Sequence, residues 1–316
     1  MSGITQAFVL GAGLGTRLRP LTDDIPKPLL PIFQKPLITF CLDHLIDAGV
    51  SRFIINTHHL PGQFDSIFHT GNYRGRPVRL VHEPILLETG GGIKNVEPLL
   101  GREPFLVYSG DILTDMDLRR LIEEHERSGN DVTLGLRQTG LAAGVTLENG
   151  RVTAIAPNES ASGEKLDYAN VSVWTPAVFP RITAGTKISF IPVLRDWIGQ
   201  GGKIGGVVLA GGRWFNIGNR REYLQVHRTV VEEQWRPKWI AEHDWPVKVA
   251  ASTMVATGAE IDASSAVGDR CRIGEGAILR NTVVWPGAQI ASRSTLQSCI
   301  VRSRKAVEGA HLDQDL

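Results

Sequence analysis

The sequence predicts an α/β domain followed by a short parallel β-helix, and two patterns carry that prediction. From Ala7 to about Leu136, short apolar runs alternate with stretches of helical periodicity, the rhythm of a sheet layered with helices. From Val255 to Trp285, large apolar residues fall at a strict six-residue spacing. That period suits neither a 3.6-residue helix nor a two-residue strand alternation alone, but it fits a coil with three short sides.

Taken in order, Ala7, Phe8, Val9 and Leu10 read as a buried strand, and Gly11, Gly13 and Gly15 let the chain turn sharply and approach a ligand. "LITFCLDHLIDAGV" puts Ile38, Leu42, Leu45 and Ile46 on one helical face and closes at Gly49, before the strand-like "RFIIN". "PVRLVHE" followed by "GIKNVEPLL", and "PFLVYSGD" followed by "DLRRLIEEHERSG", repeat the strand–helix unit. This alternation predicts a right-handed parallel sheet with ligands at the C-terminal ends of its strands. In "GVTLENGRVTAIAP", Asn149 and Gly150 between two alternating runs signal a β-hairpin. "YANVSVWTP" reads as a further strand and "SFIPVLRDWIGQGG" as a helix ended by glycine, a region inserted across the ligand face; "REYLQVHRTVVEEQW" reads as a helix. In the last part Val255, Ile261, Val267, Ile273, Leu279 and Trp285 hold the six-residue positions, with Ala259, Ser265, Cys271, Ala277 and Val283 small or β-branched four residues on. The phase slips after Ala291 and resumes loosely at Val301 and Val307. The ends of such a coil need a cap or a partner, so a homo-oligomer is expected.

The 316 residues exceed the usual size of one domain, and the expected division is an α/β domain over 1–235, a linker over 236–250 and the coil over 251–316. A hydrophobic fraction of 42%, a charged fraction of 21% and a net charge of +1 give no bulk signal for nucleic-acid or membrane binding. An anionic partner must therefore be met locally. Cys41, Cys271 and Cys299 are odd in number, widely separated and without zinc-site spacing, which fits a reducing compartment. With no basic n-region before "AFVL" and no apolar stretch of about 18 residues, the expectation is a cytoplasmic protein without a membrane span.

The loop "GAGLGTRLRPLTDDIPKP" holds the chemistry. A dinucleotide fingerprint wants a third glycine where Thr16 stands, and no Gly-x-x-x-x-Gly-Lys run of a P-loop exists. What remains is a glycine-rich turn after the first strand, with Arg17 as a forked donor and Lys27, held between Pro26 and Pro28, as a restrained point charge. Exposed backbone N–H groups and two cations suit a polyphosphate. A bare β–α turn would explain the glycines alone, but not the whole string.

This string resembles the signature of the sugar-1-phosphate nucleotidylyltransferases, roughly Leu-Ala-Gly-Gly-x-Gly-Thr-Arg-Leu-x-Pro-Leu-Thr followed by Pro-Lys-Pro, with Gly11-Ala12 here in place of Ala-Gly. The resemblance implies that Arg17 and Lys27 bind the nucleotide phosphates and that Leu10, Gly11, Ala12, Gly13, Gly15 and Thr16 line the nucleotide. "EPILLETGGGI" is similar to the family's base-reading loop, which implies that Thr89, Gly90 and Gly91 lie close to the nucleobase, main-chain groups serving as donors and acceptors. "VYSGDILTD" resembles the strand end whose Gly-Asp supplies a magnesium ligand, here Asp111. Gly144 and Asn170 match the family's sugar contacts. The resemblance also implies a Rossmann-like mixed sheet for the nucleotidyltransferase domain and a left-handed sense for the β-helix of hexapeptide repeats. The implied substrates are an NTP, GTP or UTP, and a sugar 1-phosphate. Mannose 1-phosphate with GTP stands ahead of an amino-sugar phosphate with UTP.

Two departures bear on activity. The family's Glu-Lys-Pro, expected near Pro157, Asn158 and Glu159, is absent, and Glu164 and Lys165 are the nearby replacements. The muramate-specific branch also lacks it and has a similar "LLETGGGI". In "RWFNIGNRREYL", Asn216 stands where the family has its second magnesium-ligating Asp, and Asn219 where it has Thr. An amide oxygen still ligates a hard cation but brings no negative charge, so magnesium binding should weaken. A regulatory subunit that binds nucleotide sugars without turnover is the alternative this substitution raises. A β-helix acyltransferase is disfavoured by the short coil and by the absence of a catalytic histidine loop, His311 lying at the extreme C-terminus. His58 and His59, and Trp214, Trp235, Trp239 and Trp245, read as local structure and packing.

Overall fold

A computed structural model describes residues 3–139, 144–155 and 163–316. The chain divides into two compact units, one formed by residues up to Gly13 with His44–Trp214 and the other by Leu14–Asp43 with Phe215–Leu316. The second cut falls inside the helix Leu37–Asp47.

The first unit is mixed α/β. Among the described residues its sheet contains β1 (Gln6–Leu10), β2 (Arg52–Thr57), β3 (Asn72–Tyr73), β4 (Arg76–His82), β5 (Phe105–Ser109), β6 (Val132–Arg137), β7 (Val145–Glu148), β8 (Arg151–Ile155), β9 (Glu164–Trp174) and β10 (Ile204–Val208). They lie in the order β7-β8-β10-β6-β9-β5-β1-β2-β4-β3. Strands β5, β1, β2 and β4 run parallel, as the strand–helix alternation predicts. The parallel run does not extend to Leu136, however. β9 enters antiparallel between β5 and β6, so the sheet is mixed. The predicted hairpin forms, with Asn149 and Gly150 at φ 51° and 78°, the left-handed pair a tight turn requires. Helix Leu118–Ser128 begins where Asp117 accepts the Arg120 N–H at 3.1 Å and ends at Gly129, φ 60°. The apolar faces of helices Glu88–Asn95 and Phe190–Gly199 join the sheet in one core that includes Phe8, Ile93, Val107, Trp174 and Trp197.

The C-terminal part of the second unit is a three-sided parallel coil. One face stacks Met254–Val255, Arg272–Ile273, Gln289–Ile290 and Ala306–Val307; a second stacks Glu260–Ile261, Ile278–Arg280, Thr295–Gln297 and Ala310–Leu312; the third stacks Ala266–Val267, Val283–Val284 and Ile300–Val301. Val267, Ile273, Leu279, Val284, Ile290, Leu296, Val301 and Val307 fill the bore. The six-residue period therefore breaks earlier than expected. Glu260 pairs with Ile278, but Ala266 pairs with Val283, one residue short of the same repeat. The loss at this corner moves Val284 into the bore, and Trp285 leaves it to donate its indole N–H to Tyr223 Oη at 3.2 Å. The period slips first at Asn281–Val283 and again where Val301 follows Leu296 by five residues, the slip after Ala291 that the sequence predicts.

The same unit ties the coil to the segment Leu14–Asp43 and to the helix Arg220–Glu232. Tyr223 Oη donates to Pro31 O at 2.7 Å, and Trp245 Nε1 donates to Ile32 O at 3.0 Å. Arg220 pairs with Asp313 and Asp315, each at 2.6 Å, and Arg302 with Asp24 at 3.2 Å.

Candidate functional site

In the first unit, three sequence-distant pieces meet at the C-terminal end of β1. Leu10 lies opposite Asn56 of β2 in register. The Gly11 N–H donates to Asn56 Oδ1 at 2.8 Å, and the Gly110 N–H donates to Leu10 O at 2.9 Å. Asp111, half-buried, is thereby held beside the start of the glycine-rich loop, just past β5. Ala12 is buried and Gly13 is exposed, with no atom within 4 Å of where a Cβ would stand.

The strands flanking Asp111 share a histidine. His44 Nδ1 pairs with Tyr108 Oη at 3.2 Å, and Nε2–H donates to Met116 O at 2.8 Å. Burial pushes this imidazole down to about 4, against the pull of the Met116 carbonyl, so the ring is neutral at pH 7.

The 83–91 segment, which enters the helix Glu88–Asn95, runs next to this cluster. Glu83 accepts the Asn56 Nδ2–H at 2.8 Å and the Leu87 N–H at 3.0 Å. The Gly90 and Gly91 N–H groups both donate to Ile188 O, at 2.9 and 3.0 Å, and Thr89 Oγ1 accepts the Phe190 N–H at 3.0 Å. A Cβ on Gly91 would stand 2.3 Å from Thr186 O, and one on Gly90 would stand 2.9 Å from Ile188 O. Glycine is needed here because the 186–190 segment packs directly on the loop, and the donors expected to meet a base edge at Gly90 and Gly91 are spent inside the protein.

Asn170 sits in β9 at φ 63°, where the pairing with β6 loses register between Tyr168 and Ser172. A non-glycine residue in left-handed backbone at a bulge is strained, and such strain collects at ligand sites. Gly144 precedes β7 with open space beside its Cα. Val145 pairs with Leu166, which sets Gly144 level with Asp167, three residues before Asn170, so about 10 Å of strand separates the two expected sugar positions. Glu164 and Lys165 are exposed, opposite Leu147 and Thr146. The Pro157–Glu159 position of the missing Glu-Lys-Pro lies outside the described residues.

In the second unit, Gly15 adopts φ 61° and begins the turn Thr16–Leu18. A Cβ there would stand 2.8 Å from Thr22 Cγ2 and 3.2 Å from Lys27 Cβ, while Thr22 Oγ1 donates to Gly15 O at 2.9 Å. Lys27 is packed under this loop with only 7% of its surface exposed. Arg17 and Thr16 are exposed, and the Arg17 guanidinium lies against Gly218, whose Cβ would stand 3.2 Å from Nη2. Asn216 ends the strand Trp214–Asn216, half-buried. Asn219 caps the helix Arg220–Glu232 by accepting the Glu222 N–H at 3.0 Å, and Glu222 Oε2 accepts the Gly218 N–H at 2.6 Å.

Sequence reasoning missed Asn56, Glu222 and Arg137. Asn56 ends an apolar run at the C-terminal end of a parallel strand, the one place where a buried polar residue was readable as a loop partner. Arg137 ends β6 with Nη2 donating to Gly212 O at 3.3 Å, while its Nη1 is buried without a hydrogen-bond partner. Burial lowers this guanidinium against the raising pull of Asp115. Among the described residues no group of three His, Cys, Asp or Glu side chains could hold a metal by itself, and no helix is long and apolar enough to cross a membrane. His58, read as local structure, donates from Nδ1 to Glu83 O at 2.7 Å.

A family model described as nucleotidyl transferase matches residues 6–233. The chain is 30% identical over 303 residues to the mannose-1-phosphate guanylyltransferase of Mycobacterium tuberculosis, covering 92% of this chain and 83% of that protein. It is 33% identical over 219 residues to the N-acetylmuramate alpha-1-phosphate uridylyltransferase of Neisseria meningitidis serogroup B, covering 67% of this chain and 93% of that one. A UTP–glucose-1-phosphate uridylyltransferase of Synechocystis sp. is 25% identical, with 98% and 90% covered.

Proposed function

Because the chain belongs to the nucleotidyl transferase family, we propose that it joins the nucleotidyl group of an NTP to a sugar 1-phosphate and releases pyrophosphate. The observation that carries this reading is the Gly110 N–H bond to Leu10 O, which sets the Gly-Asp turn beside the glycine-rich loop. A sugar phosphate oxygen attacks the α-phosphorus in line, the bond to the bridging oxygen breaks, and pyrophosphate leaves. Phosphate is already an anionic nucleophile at neutral pH, so the reaction asks for alignment and charge neutralisation more than for proton transfer.

Each residue takes its role from that requirement. Arg17 and Lys27 neutralise the β- and γ-phosphates. Leu10, Gly11, Ala12, Gly13, Gly15 and Thr16 line the nucleotide, with Thr89, Gly90 and Gly91 framing the base. Gly144 and Asn170 take the sugar. Asp111 and Asn216 are the magnesium ligands. One carboxylate and one amide oxygen suit a cation that keeps several waters and takes further oxygens from substrate phosphates, as magnesium does. When bound, the ion supplies charge stabilisation at the α-phosphate.

We favour GTP with mannose 1-phosphate over UTP with an amino-sugar phosphate. The guanylyltransferase relative aligns over 92% of this chain, the muramate-type relative over 67%. The domain division at 1–235, 236–250 and 251–316, the left-handed sense of the coil and a cytoplasmic location belong to the same reading. So does a homo-oligomer built through the coil. Its first turn exposes Met254 at 58% and Val255 at 44%, beside a groove of about 620 Å³ lined by Arg272, Gln289 and Glu308 among others.

Asn216 favours one second reading, a nucleotide-sugar-binding subunit with weakened chemistry. Pyrophosphate release with magnesium, measured across four NTPs and a panel of sugar 1-phosphates beside Asn216→Asp, separates the two. Turnover of one substrate pair by the wild type is the expected result. Binding without turnover, with activity gained in Asn216→Asp, would establish the second.

A further inference from the structure

Asn56 and Glu83 are 2% and 1% exposed, and together they form a chain of hydrogen bonds whose polarity is fixed at both ends. At one end the Gly11 N–H donates to Asn56 Oδ1 at 2.8 Å; at the other the Leu87 N–H donates to Glu83 Oε2 at 3.0 Å. Between them Asn56 Nδ2 donates to Glu83 Oε1 at 2.8 Å. The backbone of Glu83 is pinned as well, its N–H donating to Thr57 O at 2.8 Å and its carbonyl accepting from His58. Two glycines make room for the pair. A Cβ on Gly92 would stand 3.1 Å from both Asn56 Nδ2 and Glu83 Oε1, and one on Gly11 would stand 2.6 Å from Asn56 O.

A buried carboxylate is costly, and an apolar pair of similar volume would hold two strands together at least as well. What the polar pair adds is a fixed spacing and orientation of the two backbone N–H groups it ties together. Those groups belong to the two loops that the proposed function assigns to the nucleotide. We infer that Asn56 and Glu83 are positioning residues for the nucleotide, setting the separation between the Gly11 turn and the 83–91 segment where it enters the helix Glu88–Asn95. The inference rests on that assignment of the loops. Neither side chain need touch the ligand, because both act through the backbone they hold.

The fixed polarity supplies a specific test. Asn56→Asp opposes two carboxylates, and Glu83→Gln sets an amide N–H₂ against one of its two donors. Combined, they satisfy every link again. The new carboxylate at position 56 accepts from Gly11 and from the new amide, and the amide oxygen at position 83 accepts from Leu87. Binding of GTP and of UTP with magnesium is measured by calorimetry for the full chain, with the KM for the sugar 1-phosphate alongside. Each single variant is expected to weaken binding of the preferred nucleotide about tenfold or more, leaving the sugar-phosphate KM within about twofold, and the double variant to recover to within about threefold of wild type. A general loss of structure would move both constants together. Unchanged single variants, or a double variant as weak as the worse single, would overturn the inference while leaving the proposed function intact. A wild type that binds neither nucleotide would overturn both. Should a single variant fail to fold, a double variant that folds and binds like wild type still supports the pair, and one that does not refutes it.

Discussion

Acidification from pH 7.5 to pH 5 is expected to remove about 2 kcal/mol of stability through His227 alone. The ring is buried on the helix Arg220–Glu232, where Nδ1–H donates to Tyr223 O at 2.9 Å, leaving Nε2 to accept the Phe33 N–H at 3.4 Å. Protonation at Nε2 would set two donors face to face and place a charge between Phe33 and Tyr223, whose rings lie 4.9 and 5.0 Å from the imidazole. Burial accordingly pushes the pKa from 6.5 down to about 4, opposed by the hydrogen bond to Tyr223. Between those values the unfolded chain holds the proton and the folded chain does not. The stabilisation is therefore complete above pH 6.5 and is lost as pH falls toward about 4. That gap amounts to at most about 3 kcal/mol, and about 2 kcal/mol of it has gone by pH 5. Urea unfolding followed by tryptophan fluorescence, at pH 7.5 and pH 5, for wild type and His227→Gln, gives the number as a double difference. His44 and His125, also pushed down to about 4 by burial, add to the slope of both proteins and cancel. Identical pH dependence in the two proteins would refute the reasoning.

Asp111→Ala is expected to abolish pyrophosphate release while the thermal midpoint stays close to wild type; unimpaired turnover would remove Asp111 from the site. Gly15→Ala should cost about 1–2 kcal/mol for a left-handed alanine, and its Cβ, 2.8 Å from Thr22 Cγ2 and 3.2 Å from Lys27 Cβ, should shift the lysine, so that urea stability falls and the NTP KM rises several-fold. Gly13→Ala has no neighbour within 4 Å to displace, so calorimetric melting should be unchanged while NTP binding weakens. EDTA should stop turnover and leave the melting curve in place, with magnesium restoring activity.

The pieces legible in the sequence are those whose cause is local. Asn149-Gly150 must turn, Asp117 and Gly129 must bound a helix, and a glycine-rich loop after "AFVL" must follow a strand, whatever else the chain does. The order of strands has no such local cause. Nothing in "YANVSVWTP" says that it will enter antiparallel between β5 and β6, because that is settled by which edges remain unpaired once the rest has assembled. Trp285 was misplaced for a related reason. It holds the sixth position by count, yet one residue lost at the coil's corner gives the bore to Val284. Asn56 ends β2 and Glu83 follows β4, and only the register of β1, β2 and β4 brings the two together.

The three loop glycines separate these kinds of cause within five residues. Gly15 is demanded by its own backbone, at φ 61°. Gly11 has no such conformation; it is demanded by β2, whose Asn56 O would stand 2.6 Å from a Cβ. Gly13 is demanded by neither, since its φ is not positive and the space beside it is open. Folding accounts for the first two glycines and leaves the third unexplained. A missing side chain with no internal reason, exposed beside Asp111's turn, is the strongest mark in the loop of something that must approach from outside.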